Sequence, residues 1–209
     1  MNSIHCIRFL LLALLLVSCS PGKKAMRMPE DDIITPPSDP GSLSTSSNHA
    51  TDNALTKYDG IQIKYARYLG TDPGQIQNLR LYKFIDQWLT TPYKWGGTNE
   101  KGIDCSAFMQ RLLAEVYNIR IPRTSVQQFL DDWVDRFGST KYLSEGDLVF
   151  FRTMDDKIIS HVGMYLKNRN FVNSSSSSGV SIANLDDAYW KRCFVAAGRI
   201  KTTLSNGKK

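Results

Sequence analysis

The order of two hydrophobic periodicities constrains the fold of this chain more than any single motif does. The segment RLYKFIDQWL and the segment that begins at Cys105 place apolar residues at helical spacing, and TSVQQFLDDWV is predicted as a further helix capped by Thr124 or Ser125. From Gly146 onward, the pattern changes to short strands: DLVFF, HVGMYL, NFVNS, VSIANL and FVAAGRI. Helices followed by strands favour an α+β fold over a doubly wound parallel sheet.

The start of the chain has the composition of a secretory leader. Arg8 is followed by the apolar run FLLLALLLV, which is shorter than the roughly 20 residues needed to span a bilayer. The end of this run and the two residues after it, LVSC (Leu16–Cys19), resemble a bacterial lipobox, in which the cysteine receives a lipid after cleavage. We therefore predict a signal peptide over residues 1–18 and lipidation at Cys19, with a free thiol or a disulfide as alternatives for that residue.

The predicted anchor is followed by a tether and one domain. Residues 19–54 are rich in Ser, Pro, Thr, Asp and Asn, which is typical of a flexible linker. Residues 55–204 provide about 150 residues, enough for one domain with its own core, and residues 205–209 form a tail. Ser20 resembles the outer-membrane sorting preference, so we expect the protein in the bacterial cell envelope, at the periplasmic face of the outer membrane.

The charge of the chain is basic but not concentrated. The net charge is +6 at pH 7, and removal of Arg8 with the leader lowers it by one. Scattered basic residues are typical of a solvated surface, although they also suit an anionic wall polymer or lipid head groups. Nucleic acid is not an expected partner of an exported, lipid-anchored domain. We expect a monomer.

The sequence KGIDCSAFMQ places a thiol at a predicted helix start. Asp104 is a good N-cap, and Cys105 begins an apolar helical face. The positive end of the helix, together with a protonated histidine, would favour the thiolate over the thiol, whose pKa is ordinarily about 8.5. Cys105 is therefore the candidate nucleophile.

Cys193 is the other cysteine of the predicted domain. It lies in YWKRCFVAAGRI, where alternation with Val195 and Ala197 predicts a strand and a buried structural thiol. A disulfide between Cys105 and Cys193 is the alternative, and it would abolish the nucleophile. The chain has no CxxC motif and no clustered histidines, so no zinc site is expected, and nothing in the sequence requires a metal or organic cofactor.

His161 is the only histidine within the predicted domain, since His5 and His49 precede it. It lies in IISHVGMYL, which is predicted as a strand with Ile159, His161, Gly163 and Tyr165 on one face. The glycine leaves room for a close neighbour. A packed core histidine is the alternative to a catalytic base.

Asn173 follows His161 by twelve residues, in the next predicted strand. A two-residue turn at Asn168 and Arg169 would put the two side chains on opposite faces. If both belong to one site, the loop between Leu166 and Phe171 must have an odd length or contain a bulge. The alternative is a turn-proximal asparagine that leads into the serine run.

Several ordered segments together resemble the NlpC/P60 family of cell-wall cysteine peptidases. They are FIDQWLTTPYKWGGTNEKGIDCSAF, IPRTSVQQ, GDLVFFRT, SHVGMYLKNRNFVNSSSSSGV and DDAYWKRCFVAAGRI. The resemblance implies a papain-like α+β fold, in which the nucleophile helix packs on an antiparallel sheet. It further implies Cys105 as nucleophile, His161 as base and position 173 as the third polar residue. Many members have histidine there, whereas this chain has Asn173, which can still orient the imidazole.

The resemblance also implies residues along the substrate cleft. Tyr93 matches a family tyrosine near the nucleophile, and Asp104 and Ser106 match cleft positions. Arg123 could meet a carboxylate of a peptidoglycan stem peptide. Each has a structural alternative: aromatic packing for Tyr93, capping for Asp104, a first-turn hydrogen bond for Ser106 and a salt bridge for Arg123.

Two functions of different classes follow from the sequence. The first is a lipid-anchored cysteine endopeptidase that cuts peptidoglycan stem peptides or cross-links through a thioester intermediate. The second is a non-hydrolytic peptidoglycan-binding lipoprotein that retains the fold. The asparagine at position 173, where many family members have histidine, favours this second function. The sequence does not identify the scissile bond.

Overall fold

The computed structural model describes residues 57–155 and 158–201. The predicted leader, the lipidation site Cys19, the tether, the tail, His5 and His49 lie outside the described residues. Within them, no helix is both long enough and apolar enough to cross a membrane.

Two helices precede the nucleophile segment. Helix α1 spans Gly60–Leu69 and begins with a capping box in which Asp59 and Gln62 bond reciprocally. Helix α2 spans Leu79–Trp88 after a short 3₁₀ turn at Pro73–Gln75. The apolar residues that the sequence places on one face of α2 are all buried: Leu81, Phe84, Ile85 and Trp88.

The helix with the candidate nucleophile, α3, spans Cys105–Tyr117. A small hairpin of β1 (Thr98–Asn99) and β2 (Gly102–Ile103) leads into it. Helix α4 follows at Ser125–Leu130, with Thr124 as its N-cap in a second capping box. Four of the five α-helices in the described residues thus precede the main sheet.

The main sheet contains six antiparallel strands in the order β3-β8-β4-β5-β6-β7. Their bounds in chain order are β3 Val134–Phe137, β4 Leu148–Phe151, β5 His161–Tyr165, β6 Asn170–Ser175, β7 Gly179–Asn184 and β8 Phe194–Ile200. A 3₁₀ turn at Thr140–Tyr142 connects β3 to β4, and helix α5, Ala188–Cys193, precedes β8. The α+β class and the antiparallel sheet predicted from the sequence are confirmed.

The alternating side chains of the central strands build two apolar clusters. The larger one joins α3 to the sheet through Phe150, Val162, Met164 and Val172. The second cluster contains Val149, Phe151, Phe171 and Leu185, with Trp190 of α5 packed against it. Because residues alternate along a strand, neighbouring positions such as Phe150 and Phe151 belong to different clusters.

Three local predictions were wrong. The helix predicted over TSVQQFLDDWV ends at Leu130, because Asp131 is extended and its carboxylate accepts from the N–H of Trp133, which starts the turn into β3. Cys193 is the last residue of α5 and only half-buried, not a buried strand residue. Ile159 precedes β5 and packs in the larger cluster, so it does not share the face of His161.

Candidate active site

Asp104 fixes the start of α3 and therefore the position of Cys105. Its Oδ1 accepts from the N–H of Ala107 at 2.8 Å, which confirms the predicted N-cap. The N–H of Gly96 donates to Oδ2 at 3.0 Å, and the N–H of Asp104 donates to the carbonyl of Gly97 at 3.2 Å. The cap is thus bound to the preceding turn as well as to its own helix.

Gly97 permits this close approach. A Cβ atom there would lie 2.3 Å from the carbonyl oxygen of Gly102, a distance that real Cβ atoms do not show. A side chain at this position would force the β1–β2 hairpin away from the turn that holds Asp104. The glycine pair after Trp95 therefore helps to position the nucleophile helix.

His161 and Asn173 meet because the β5–β6 loop has an odd length. Tyr165 pairs with Phe171 and Gly163 with Asn173, and the N–H of Leu166 donates to the carbonyl of Asn170, which leaves three residues in the loop. The predicted odd-length connection is confirmed. Two loop residues, Asn168 and Arg169, take positive φ angles of 49° and 68°.

The histidine tautomer follows from the hydrogen bonds of Asn173. The amide nitrogen of Asn173 donates to the backbone carbonyl of Ser181 at 3.3 Å, so its Oδ1 faces the imidazole. That oxygen lies 3.0 Å from Nε2 of His161, which must therefore donate. Nδ1 then carries the lone pair and is the atom available to accept a proton.

Both reactive groups are buried and uncharged in the substrate-free site. Burial raises the pKa of Cys105 to about 11, although the backbone N–H groups of Val162, Ser106 and Cys105 itself face the sulfur and lower it. Burial also lowers the pKa of His161 to about 4, against the opposing effect of the hydrogen bond that its Nε2–H donates to Asn173. Desolvation thus opposes the resting thiolate that the helix terminus was expected to favour.

The thiol and the imidazole lie on either side of the point where β5 begins. Cys105 belongs to the larger cluster and faces the N–H of Val162, the neighbour of His161. The imidazole contacts the rings of Phe151 and Trp190, which belong to the second cluster. Among the described residues no hydrogen bond joins sulfur to imidazole, and such bonds in substrate-free sites often tighten only when substrate binds.

A cleft of about 470 Å³ opens above the start of α3. Cys105 and Ser106 lie at its base, and its walls come from the Tyr93 loop, the start of α4 and the chain that enters β5. The residues that line the cleft include Tyr93, Trp95, Asp104, Arg123, Ile159 and Ser160. The cleft thus reaches the nucleophile from solvent.

Arg123 forms a double ion pair with Asp104 at the cleft wall. Its two terminal nitrogens lie 3.0 Å and 2.6 Å from the two carboxylate oxygens, and one also donates to Oγ of Ser106 at 2.9 Å. Ser106 in turn donates to Asp104 at 3.0 Å. The structural alternatives predicted for these three residues are all present in the substrate-free site, while the guanidinium keeps a surface toward the cleft.

Tyr93 lies beside Cys105. Burial, with contributions from Cys105 and Asp104, raises the pKa of its hydroxyl, which therefore stays protonated and able to donate. Its backbone pairs with Ile103, directly before the nucleophile helix. The two free thiols, Cys105 and Cys193, exclude the predicted alternative of a disulfide between them.

The sequence reasoning missed Trp190 and Gln128. The imidazole of His161 stacks on Trp190 at a centroid distance of 5.2 Å and an interplanar angle of 29°. The buried amide of Gln128 donates to the carbonyls of Ser106 and Pro122 and so ties the Arg123 loop to α3. Asp187, an N-cap residue type before AYWKR, was the signal that could have revealed the helix of Trp190.

A cysteine at a helix start and a histidine at the start of a strand in an antiparallel sheet give the arrangement of a papain-like α+β fold. The family model described as "NlpC/P60 family" matches residues 90–199, which is 110 of the 209 residues. The chain belongs to the NlpC/P60 family.

Two relatives and one solved structure show how far the similarity extends. The chain is 40% identical over 120 residues to a probable endopeptidase NlpC homolog of Haemophilus influenzae, which covers 57% of this chain and 61% of that one. It is 37% identical over 121 residues to the Murein DD-endopeptidase MepS/Murein LD-carboxypeptidase of Escherichia coli, covering 56% and 62%. A crystal structure of an NlpC/P60 family protein from Bacillus cereus matches with a TM-score of 0.52 and 28% identity, covering 59% of this chain and 40% of that one.

The similarity therefore concerns the domain rather than the whole proteins. The chain spans somewhat more than three fifths of the length of the two relatives. Among the described residues, no group of three or more His, Cys, Asp or Glu side chains is placed to hold a metal ion.

Proposed function

We propose that the protein is a cysteine endopeptidase that hydrolyses peptide bonds of peptidoglycan. Cys105 is the nucleophile, His161 the general base and acid, and Asn173 the residue that orients the imidazole. One arrangement carries the proposal. The buried His161, paired with Asn173, begins strand β5, and the N–H of the next residue, Val162, faces the sulfur of Cys105 at a cleft open to solvent. Family membership and an Escherichia coli relative that is a murein DD-endopeptidase support the substrate class.

The neutral resting pair sets the order of the chemical steps. Nδ1 of His161 accepts the thiol proton as the sulfur attacks the peptide carbonyl, so the ion pair forms during the reaction. The imidazolium then gives this proton to the departing amine, and a thioester remains on Cys105. His161 next takes a proton from the water that attacks the thioester carbonyl, and it returns this proton to the departing sulfur, which restores the thiol and the neutral imidazole.

The backbone at the start of α3 stabilises the oxyanion. The N–H of Cys105 is at the first helical position, where it has no partner within the helix. Oriented N–H groups at a helix start stabilise the negative charge that develops on the carbonyl oxygen. The hydroxyl of Tyr93, kept protonated, is a second donor beside the sulfur.

Substrate recognition uses the polar wall of the cleft. Arg123, although paired with Asp104, presents part of its guanidinium to a stem-peptide carboxylate, and Asp104 and Ser106 hold it in place. Either the γ-D-glutamyl to diaminopimelate bond or the cross-link between stems is a candidate. The Escherichia coli relative is both a murein DD-endopeptidase and a murein LD-carboxypeptidase.

Cleavage of purified muropeptides tests the proposal. The full-length chain in detergent and its Cys193→Ala variant should release the same products, whereas Cys105→Ala should release none. The masses of the products identify the scissile bond. If the wild-type chain is folded but yields no product, the enzymatic function is wrong.

A binding function without hydrolysis is the second candidate. It is favoured by the burial of both reactive groups and by the lack of a hydrogen bond between thiol and imidazole among the described residues. In that case the wild-type chain and Cys105→Ala would sediment equally with isolated cell-wall sacculi, and neither would release muropeptides. Binding accompanied by product release in the wild type alone would exclude it.

We further propose that Cys19 is lipidated and that the protein lies in the cell envelope, at the periplasmic face of the outer membrane. The support is the apolar run followed by LVSC and Ser20. Acyl chains contribute about 0.8 kcal/mol per buried methylene, so several chains would hold the protein on a membrane. Labelling with palmitate tests this. The wild-type protein should incorporate the label and stay in the membrane fraction, whereas Cys19→Ala should incorporate none and leave the membrane fraction.

A further inference from the structure

Trp190 is the aromatic residue that covers the imidazole. The two rings are stacked, with an interplanar angle of 29° and a centroid distance of 5.2 Å. Trp190 is half-buried, whereas His161 is 6% exposed and Asn173 fully buried. One side of the indole therefore lies on the imidazole, and the rest of the residue separates it from solvent.

The indole is held in this position by other aromatic rings. Phe151, Phe171 and Tyr189 contact it at centroid distances of 4.9 Å, 5.1 Å and 5.0 Å. Two of these contacts are edge-on, with angles of 89° and 75°, a preferred geometry for aromatic pairs. Because Phe151 also contacts His161, the histidine lies against a rigid aromatic surface.

We propose that Trp190 is a positioning residue for His161: its face orients the imidazole, stabilises the imidazolium that forms during the reaction, and shields the hydrogen bond to Asn173 from water. The stabilisation of the imidazolium rests on the proposed function, whereas the orientation of the imidazole and the shielding of its hydrogen bond do not. An indole face attracts a cation whose distance from the ring centroid is within about 6 Å. The imidazolium would lie within that distance without any movement of Trp190.

A purely structural role for Trp190 makes a different prediction. Helix α5 has six residues and no side-chain hydrogen bond at its N-cap, so Trp190 also anchors it to the second cluster. An anchor needs apolar volume, whereas the positioning role needs an aromatic face. Leucine and phenylalanine at position 190 therefore separate the two roles.

The experiment compares Trp190→Leu with Trp190→Phe in the full-length chain. Trp133→Leu is the matched control, because Trp133 is 53% exposed and is not among the residues of the cleft. In the leucine variant, kcat for muropeptide cleavage should fall by roughly two- to thirtyfold, the range of a cation–π contact, with KM unchanged. The phenylalanine variant should recover most of kcat, and the control should match the wild type.

Nuclear magnetic resonance gives a second readout that does not depend on activity. The Nε2–H proton of His161, assigned by its loss in His161→Gln, should be visible in water at neutral pH in the wild type and in Trp190→Phe. It should exchange too fast to be seen in Trp190→Leu. Trp190→Met, which keeps apolar volume without an aromatic face, replaces the leucine variant if that variant is unfolded.

The outcomes are distinguishable from failure of the proposed function. If the wild type cleaves no muropeptide, the enzymatic proposal fails, and the comparison of Nε2–H exchange still decides the role of Trp190. Equal exchange in the phenylalanine and leucine variants, or an unchanged signal in the leucine variant, would overturn the inference. So would equal loss of kcat in both folded variants.

Discussion

Nε2 of His161 and Oδ1 of Asn173 lie 3.0 Å apart, and the amide of Asn173 is itself fixed by the carbonyl of Ser181. A neutral asparagine thus specifies which imidazole nitrogen carries the proton. In a buried site this choice matters, because a histidine with the other tautomer presents a donor where a base is needed.

Replacement of Asn173 by alanine should slow the chemical step. The buried Nε2–H would lose its partner, which costs about 1–3 kcal/mol, so we expect kcat to fall about five- to 160-fold with little change in KM. Steady-state cleavage of muropeptides measures this. Asn173→His, with the residue that many family members have, should retain more activity than alanine.

Asn184→Ala is the control for this prediction. Asn184 lies in the same sheet and donates to Oδ1 of Asn170 rather than to the histidine. If Asn173→Ala and Asn184→Ala had equal kcat, Asn173 would have no orienting role.

The substrate-free thiol should react slowly at neutral pH. With a pKa raised by burial to about 11, Cys105 is protonated at pH 7, and its thiolate fraction should rise about tenfold per pH unit until the pH approaches that value. The rate of iodoacetamide modification of the Cys105 peptide, followed by mass spectrometry from pH 6 to pH 10, measures this. In the urea-unfolded chain the same peptide should follow an ordinary thiol with a pKa of about 8.5. A rate that is already constant below pH 8 in the folded protein would show a resting thiolate instead.

The partnership of His161 and Asn173 could be predicted in part from the sequence. Periodicity placed both residues on strands, and parity required an odd loop between them. Periodicity does not predict the conformation of the loop. In the structure Asn168 and Arg169 both take positive φ angles, and no local pattern in KNRN requires this.

Burial and long-range contacts account for what the sequence did not reveal. Asp104 was recognisable as a cap from its position, but its ion pair with Arg123 joins residues from different elements. Trp190 lies 29 positions after His161 in a short helix whose contacts are all tertiary, so no local signal links the two. The neutral state of Cys105 follows from desolvation, and only the folded structure defines how much water is excluded.

Loss of the Arg123 side chain should destabilise the nucleophile helix in a pH-dependent way. Burial raises the pKa of Asp104, but the hydrogen bonds from Arg123 and from the N–H of Ala107 together lower it by more. The pKa of Asp104 is therefore below its usual value. A lowered carboxyl pKa gives stability that is present above the unfolded value, about 3.9, and lost as the pH falls through the folded value. We expect Arg123→Gln to lower the free energy of unfolding by about 1–3 kcal/mol at pH 7, and by less below pH 4.

Urea unfolding at pH 7 and pH 3 measures this difference. Lys201→Gln is the matched control, because Lys201 pairs with Asp135 on the surface, where such pairs contribute about 0–1 kcal/mol. A loss of stability that is the same at both pH values would mean that Arg123 acts through packing and not through the carboxylate.

Gly163 leaves the space that Asn173 needs in order to reach His161. It pairs with Asn173, and a Cβ atom there would lie 2.7 Å from the ring of Phe171 and 3.2 Å from Cβ of Asn173. Gly163→Ala should therefore destabilise the protein by about 1–3 kcal/mol, as overpacking does, and should lower kcat because Asn173 is displaced from the imidazole. Gly138→Ala is the control, since a Cβ at Gly138 meets no atom within 4 Å. Thermal unfolding and kcat measure the two effects, and a Gly163→Ala variant with lower stability but wild-type kcat would show that the sheet absorbs the methyl group without moving Asn173.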